Sequence, residues 1–74
     1  MKTYMIQHNG TGQYSTGGLP PKFVRQDRAK IWRNESDLKR HLGLLLRHDK
    51  WPYVDCEVVI LINTLSSRVS VTTF

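Results

Sequence analysis

Residues 29–50, AKIWRNESDLKRHLGLLLRHDK, decide the fold, because they carry the one long periodic signal in the chain. At about 100° per residue, Leu38, Leu42, Leu45 and Leu46 fall on one apolar stripe, the pattern of a helix packed on a sheet. Asn34 is placed as its N-cap, with Ser36 as the competing cap, and Glu35 and Asp37 sit at the positive helix end. Lys39, Arg40 and Arg47 lie on the other side, with Gly43 between them. Arg47 and His48 stand near the negative helix end, where positive charge is favourable. Leu44 falls off the stripe, beside His41 and Arg40, and a leucine set among arginines suits a protein-binding face. Residues 49–52 end the helix, since a residue before proline disfavours helical geometry.

Just upstream, residues 29–33 alternate as a third strand, with Ala29, Ile31 and Arg33 facing one way and Lys30 and Trp32 the other. Trp32 reads as the largest core or boundary side chain. Exposed beside Lys30 and Arg33, it would instead be a stacking platform for a base. Further upstream, residues 3–8 (TYMIQH) alternate as a strand, Asn9-Gly10-Thr11-Gly12 supplies a turn, and residues 13–16 return to close a hairpin. Gly17-Gly18-Leu19-Pro20-Pro21 breaks regular structure. Phe23 is expected to tuck that loop onto the core, as large aromatics dominate small cores.

Downstream, residues 53–63 form the clearest strand. Val54, Cys56, Val58, Ile60 and Ile62 line one face, and Asp55, Glu57, Val59, Leu61 and Asn63 the other. The second face begins acidic and ends apolar, so its far half is expected to be covered. Residues 64–67 read as a turn, and residues 68–74 as a closing strand with Val69, Val71 and Thr73 inward, supported by β-branched content. The expectation is a single α+β domain over residues 1–74. A small antiparallel sheet in the order βββαββ carries one amphipathic helix, and the core includes Tyr4, Ile6, Ile31, Leu38, Leu42, Leu45, Val58, Ile60 and Val69.

Size and charge bound the function. A chain of 74 residues buries only about 60% of its unfolded surface, which leaves a stability of a few kcal/mol and no scaffold for a deep catalytic cleft. Eleven Lys and Arg against six Asp and Glu give a net charge of +5. All of that excess lies in residues 22–50, where nine basic residues meet four acidic ones. Such a field suits an acidic partner, either nucleic acid or an acidic protein surface. One cysteine, Cys56, precludes an intrachain disulfide, and it falls on the core face of a strand, as a buried inert thiol does. The opening residues lack the apolar run of a signal peptide, and the longest apolar run, residues 58–62, is too short to cross a membrane. A cytoplasmic protein is expected.

Tyr14-Ser15-Thr16-Gly17-Gly18, Pro21-Lys22-Phe23, Lys30-Ile31-Trp32 and Leu38-Lys39-Arg40-His41-Leu42 occur in that order. Over about residues 3–60 the chain thereby resembles small uncharacterised proteins of tailed bacteriophages, which read STGG…PxF…KxW…LKxHL. It departs from them at Glu35-Ser36 and in a longer tail after Asn63. The resemblance implies a phage or prophage setting and the cytoplasm of a host cell, and it brings no activity with it.

The chemistry-bearing residues are sparse. His41 and His48 lie two helical turns apart, too far to share a metal, and no Cys-His zinc spacing occurs. The glycines of residues 10–18 belong to a hairpin and a loop rather than a phosphate cradle. No catalytic, cofactor or metal site is therefore expected, and the protein is read as no enzyme. The favoured reading is stoichiometric binding to a host protein or nucleoprotein complex through Lys30, Arg33, Lys39, Arg40, Leu44 and Arg47, with Leu44, Trp51 and Tyr53 as desolvated anchors. The alternative is a module contacting a nucleic-acid backbone, for which four phosphate contacts imply a salt slope of about −3.6. A third reading is a homodimer paired through the edge of the final hairpin, favoured if Val59 and Leu61 are exposed.

Overall fold

The computed structural model describes residues 1–47 and 51–74. Five strands and one helix follow in the order β1 (Lys2–His8), β2 (Tyr14–Ser15), β3 (Phe23–Val24), α1 (Glu35–Leu46), β4 (Cys56–Ile62) and β5 (Leu65–Ser70), with a 3-10 turn at Gln26–Arg28. The strands form one antiparallel sheet in the order β3-β2-β1-β4-β5. The α+β class and the βββαββ order are as expected.

The centre of the sheet is the β1–β4 pair, in register from Lys2↔Ile62 to His8↔Cys56. Period-2 alternation puts Tyr4, Ile6, Cys56 and Val58 on one face, and α1 covers that face with Leu38, Leu42 and Leu45. Ile60 and Phe23 pack at the margin of this core, and Val69 is half-buried. On the other face Met5 and Val59 are also buried. There Met5 and Leu61 floor a shallow groove walled by Arg25, Gln26, Asp27 and Ile31. Of the apolar far half of that face, expected to be covered, Val59 is buried and Leu61 is half-buried on the floor of that groove.

The helix begins where expected. Asn34 is the N-cap, its side-chain oxygen accepting from the Asp37 backbone N–H at 2.8 Å and from the Ser36 hydroxyl at 2.9 Å. Ser36 therefore supports the cap rather than replacing it. The buried side chains are Leu38, His41, Leu42 and Leu45, spaced i, i+3, i+4, i+7. Leu46 is 70% exposed, contrary to its place in the expected stripe, because it lies one 100° step beyond Leu45, outside the arc of Leu38, His41, Leu42 and Leu45. The expected stop at residues 49–52, and the placement of His48, Asp49 and Lys50, fall partly outside the described residues.

Three boundaries differ from the sequence reading. The third strand is Phe23–Val24, which pairs with β2, and not residues 29–33. That later segment makes one bridge only: Tyr4 and Trp32 exchange both backbone hydrogen bonds, at 2.8 and 2.9 Å. Its alternation holds, but the helix covers the Trp32 side. Trp32 is thus 5% exposed, and Ile31, expected in the core, is 49% exposed. Strand β4 starts at Cys56 rather than 53, because Asp55 takes a left-handed φ of 58° that interrupts the extended run. The final turn is tighter than expected. Asn63, at φ 57°, and Thr64 join Ile62 directly to Leu65, so β5 runs from Leu65 and ends before Val71. Val71 is buried as expected, whereas Thr73 lies in the exposed C-terminal turn.

Candidate functional site

Two arrangements concentrate polar chemistry, and they meet at Trp32 near the start of α1. The first is buried. His41 Nε2 lies 2.6 Å from the Tyr53 hydroxyl, which lies 2.6 Å from the Ser15 hydroxyl, and Ser15 Oγ accepts from the Gly17 backbone N–H at 3.0 Å. Helix, β2 and the segment leading into β4 are thereby tied together by one polar chain. Trp32 covers His41 with ring centroids 5.3 Å apart, and Phe23 and Trp51 meet Tyr53 edge-on at 6.1 and 5.6 Å. Gly17 permits the closure. Its φ is +74°, and a Cβ there would lie 2.9 Å from Lys30 Cγ and 3.1 Å from Trp32 Cζ2.

Burial sets the protonation states in this chain. It lowers the pKa of His41 below 6.5, assisted by the nearby Lys30 ammonium, so the imidazole is neutral at neutral pH. Burial pushes Tyr53 up to about 12, against the opposing pull of the Ser15 hydrogen bond. Serine, histidine and tyrosine in sequence invite comparison with a nucleophilic relay. A relay needs its nucleophile at a surface that substrate can reach, and Ser15 and Tyr53 are both sealed. The chain is a structural tie. Among the described residues, no buried side-chain nitrogen or oxygen lacks a partner. Cys56 is likewise buried, and burial followed by the Asp55 charge pushes its thiol up to about 11, which suppresses the reactive thiolate.

The second arrangement is open. Lys30, Ile31, Trp32, Arg33, Asn34, Asp37 and Arg40 line a groove of about 500 Å³ where the chain enters α1. Three of the residues singled out from sequence, Lys30, Arg33 and Arg40, thus meet at one place. Arg40 forms an exposed i,i+3 ion pair with Asp37 at 3.5 Å, a contact that contributes little in water. Among the described residues, no carboxylate pairs with Lys30 or Arg33 within 4.0 Å.

Leu44 and Arg47 extend this site along the helix, at i+4 and i+7 from Arg40, and both are exposed. Leu44 is 43% exposed. Lys39 does not join them. It pairs with Glu35 at 3.8 Å and lies over the Phe74 ring at 5.5 Å, on another flank of α1.

Ile31 belongs to the site, although its side chain was expected in the core. It borders both the basic groove and the groove above Met5 and Leu61. Of the other anchors named from sequence, Tyr53 is fully buried, and Trp51 is half-buried and packs against it. The stacking platform also falls away, since Trp32 lies under the helix. The buried tie was missed, yet its signal was present, because His41 stands three residues after Leu38 on the helical spacing of the core.

No three His, Cys, Asp or Glu side chains converge as metal ligands among the described residues. No described helix is long and apolar enough to cross a membrane. In comparisons with protein families, curated proteins and solved structures, the chain matches none.

Proposed function

We propose that the protein acts by stoichiometric, non-catalytic binding to an acidic surface of a host protein or nucleoprotein complex in the host cytoplasm. Such a role suits the phage setting that its STGG…KxW…LKxHL pattern suggests. The observation that carries the reading is the mixed character of the exposed face. Ile31 and Leu44, both more than 40% exposed, stand among Lys30, Arg33, Arg40 and Arg47. Apolar side chains can be desolvated by a folded partner, while the basic groups steer encounter and fix orientation.

A phosphate backbone would use the charges and leave the two apolar side chains idle. Single-stranded nucleic acid is further disfavoured because every Trp, Tyr and Phe among the described residues is buried or half-buried, which leaves no open ring for a base to stack on beside the groove.

The test is an affinity capture from bacterial lysate, run in parallel with and without nuclease. Retention of one discrete host protein after digestion supports the reading. Recovery of nucleic acid alone, lost on digestion, replaces it with backbone binding. In that case affinity should fall by roughly 100-fold between 50 and 200 mM salt for four phosphate contacts.

A further inference from the structure

Strand β5 is an edge of the sheet, and its hydrogen-bonding pattern fixes which backbone groups are free. The Val71 N–H donates to the Cys56 carbonyl at 3.4 Å, and Tyr4 directs its backbone bonds to Trp32 rather than to Ile60. Antiparallel ladders alternate, so Leu65, Ser67 and Val69 bond inward to β4, while Ser66, Arg68 and Ser70 present N–H and C=O groups outward. One end of this edge is closed. The Ser70 carbonyl already accepts from the Thr73 N–H at 3.0 Å, the Phe74 N–H at 3.1 Å and the Thr73 hydroxyl at 3.1 Å. The open edge is therefore Ser66 and Arg68. It carries no proline and no lysine, two common guards of an edge strand.

We infer that Ser66 and Arg68 form a self-complementary edge through which β5 pairs antiparallel with β5 of a second copy of this chain, with the two-fold axis at Ser67. The register follows by elimination. Centring on Ser66 sets Arg68 against the partner's Thr64, in the turn beyond the strand, and loses that pair. Centring on Arg68 sets Arg68 against the partner's Arg68, a like-charge pair directly opposite. Centring on Val69 asks Arg68 to donate to the partner's Ser70, whose carbonyl is occupied. Centring on Ser67 avoids these faults, because Ser66 and Arg68 then exchange both backbone hydrogen bonds with the partner's Arg68 and Ser66.

Side chains agree with this register on both faces. On the helix side it places the partner's Leu65 opposite Val69, one apolar pair for each half of the dimer. In the monomer Leu65 is 75% exposed, and its cross-strand neighbour Ile62 is exposed as well. On the other face Arg68 is turned back along its own sheet, hydrogen-bonded to Gln7 and 3.8 Å from Glu57, which leaves space for the partner's Ser66. Val59 and Leu61, named from sequence as the dimer's apolar contacts, are not its basis, since Val59 is buried within the monomer.

The contact is small against the about 800 Å² per partner of a standard interface, so dimerisation is concentration-dependent. Each chain carries +5, and salt screens the repulsion between copies. Dimerisation should therefore strengthen with salt, whereas binding through the basic groove should weaken. The two interactions are thereby separable.

The test is sedimentation equilibrium over a concentration series at low and high salt, on the full chain and on Ser66→Pro. That proline removes an outward N–H and leaves the β4–β5 bonds intact. Wild type should rise toward twice its 8.6 kDa mass, more readily at high salt, while Ser66→Pro stays at 8.6 kDa with an unchanged circular dichroism spectrum.

A second readout needs no disruptive variant. Ser67→Cys should give a disulfide-linked dimer on mild oxidation at least tenfold faster than Leu65→Cys, because only residue 67 faces itself across the axis at disulfide distance. Wild type that stays at 8.6 kDa up to millimolar concentration in both salts overturns the inference, as does equal cross-linking of the two cysteine variants.

Discussion

Arg40 and His41 are neighbours in the chain, yet they belong to opposite kinds of environment. His41 enters a sealed chain with Tyr53 and Ser15 beneath α1. Arg40 stands on the rim of an open groove with Lys30 and Arg33, its ion pair with Asp37 exposed to solvent. Both regions are polar, and both sit within one turn of the same helix. The difference lies in who satisfies the polar groups: in the tie the protein does, and in the groove water does until a partner replaces it. Groups satisfied internally couple to stability, and groups left to solvent are free to act in binding.

The contrast breaks most visibly at its apolar foundation. Leu38 is fully buried on the sheet-facing side of α1, and Leu38→Ala should destabilise by about 2–5 kcal/mol, read by urea unfolding. In a domain this small that loss is expected to leave much of the population unfolded at 37 °C. Tyr53→Phe comes next. It keeps the ring but strips His41 Nε2 and Ser15 Oγ of the hydroxyl between them, and should cost about 1–3 kcal/mol. A variant as stable as wild type would show that water enters and the tie contributes nothing.

Asn34→Ala should cost about 1 kcal/mol by removing the helix cap. The pH dependence has a defined sign. Folding lowers the His41 pKa below 6.5, so the unfolded chain binds the proton more tightly. Stability from a neutral His41 is complete above pH 6.5 and declines as pH falls below it, and His41→Gln should flatten that decline in melting curves. At the far end of the scale, Lys30→Glu and Arg33→Glu should change stability by less than about 0.5 kcal/mol while weakening capture of the partner.

How far the sequence foretold this division depends on what each residue's neighbours add. The Asn34 cap, the first hairpin and the β4 alternation were legible, because they rest on local geometry within a few residues. Periodicity also showed that Ile31 and Trp32 face opposite ways. It could not say which side α1 would cover, so Ile31, expected in the core, lies at the surface, while Trp32 is buried as its size implied. Leu46 was counted in the apolar stripe but lies at its rim, one 100° step beyond Leu45, and an apolar pattern does not record where burial stops. The tie between His41, Tyr53 and Ser15 joins three separate segments, and its partners become visible only when the chain is folded. The basic groove was half legible: the charges were counted correctly, but Lys39 was assigned to a face that its contacts with Glu35 and Phe74 take it away from.

The central claim is that the open face, and Leu44 within it, binds a folded acidic partner without contributing to the fold. The most direct measurement pairs nuclease-treated capture from lysate with thermal melting, for wild type and Leu44→Asp. The account predicts that the variant melts within about 2 °C of wild type and loses the captured host protein at least tenfold. Undiminished capture of the same protein by Leu44→Asp would contradict it.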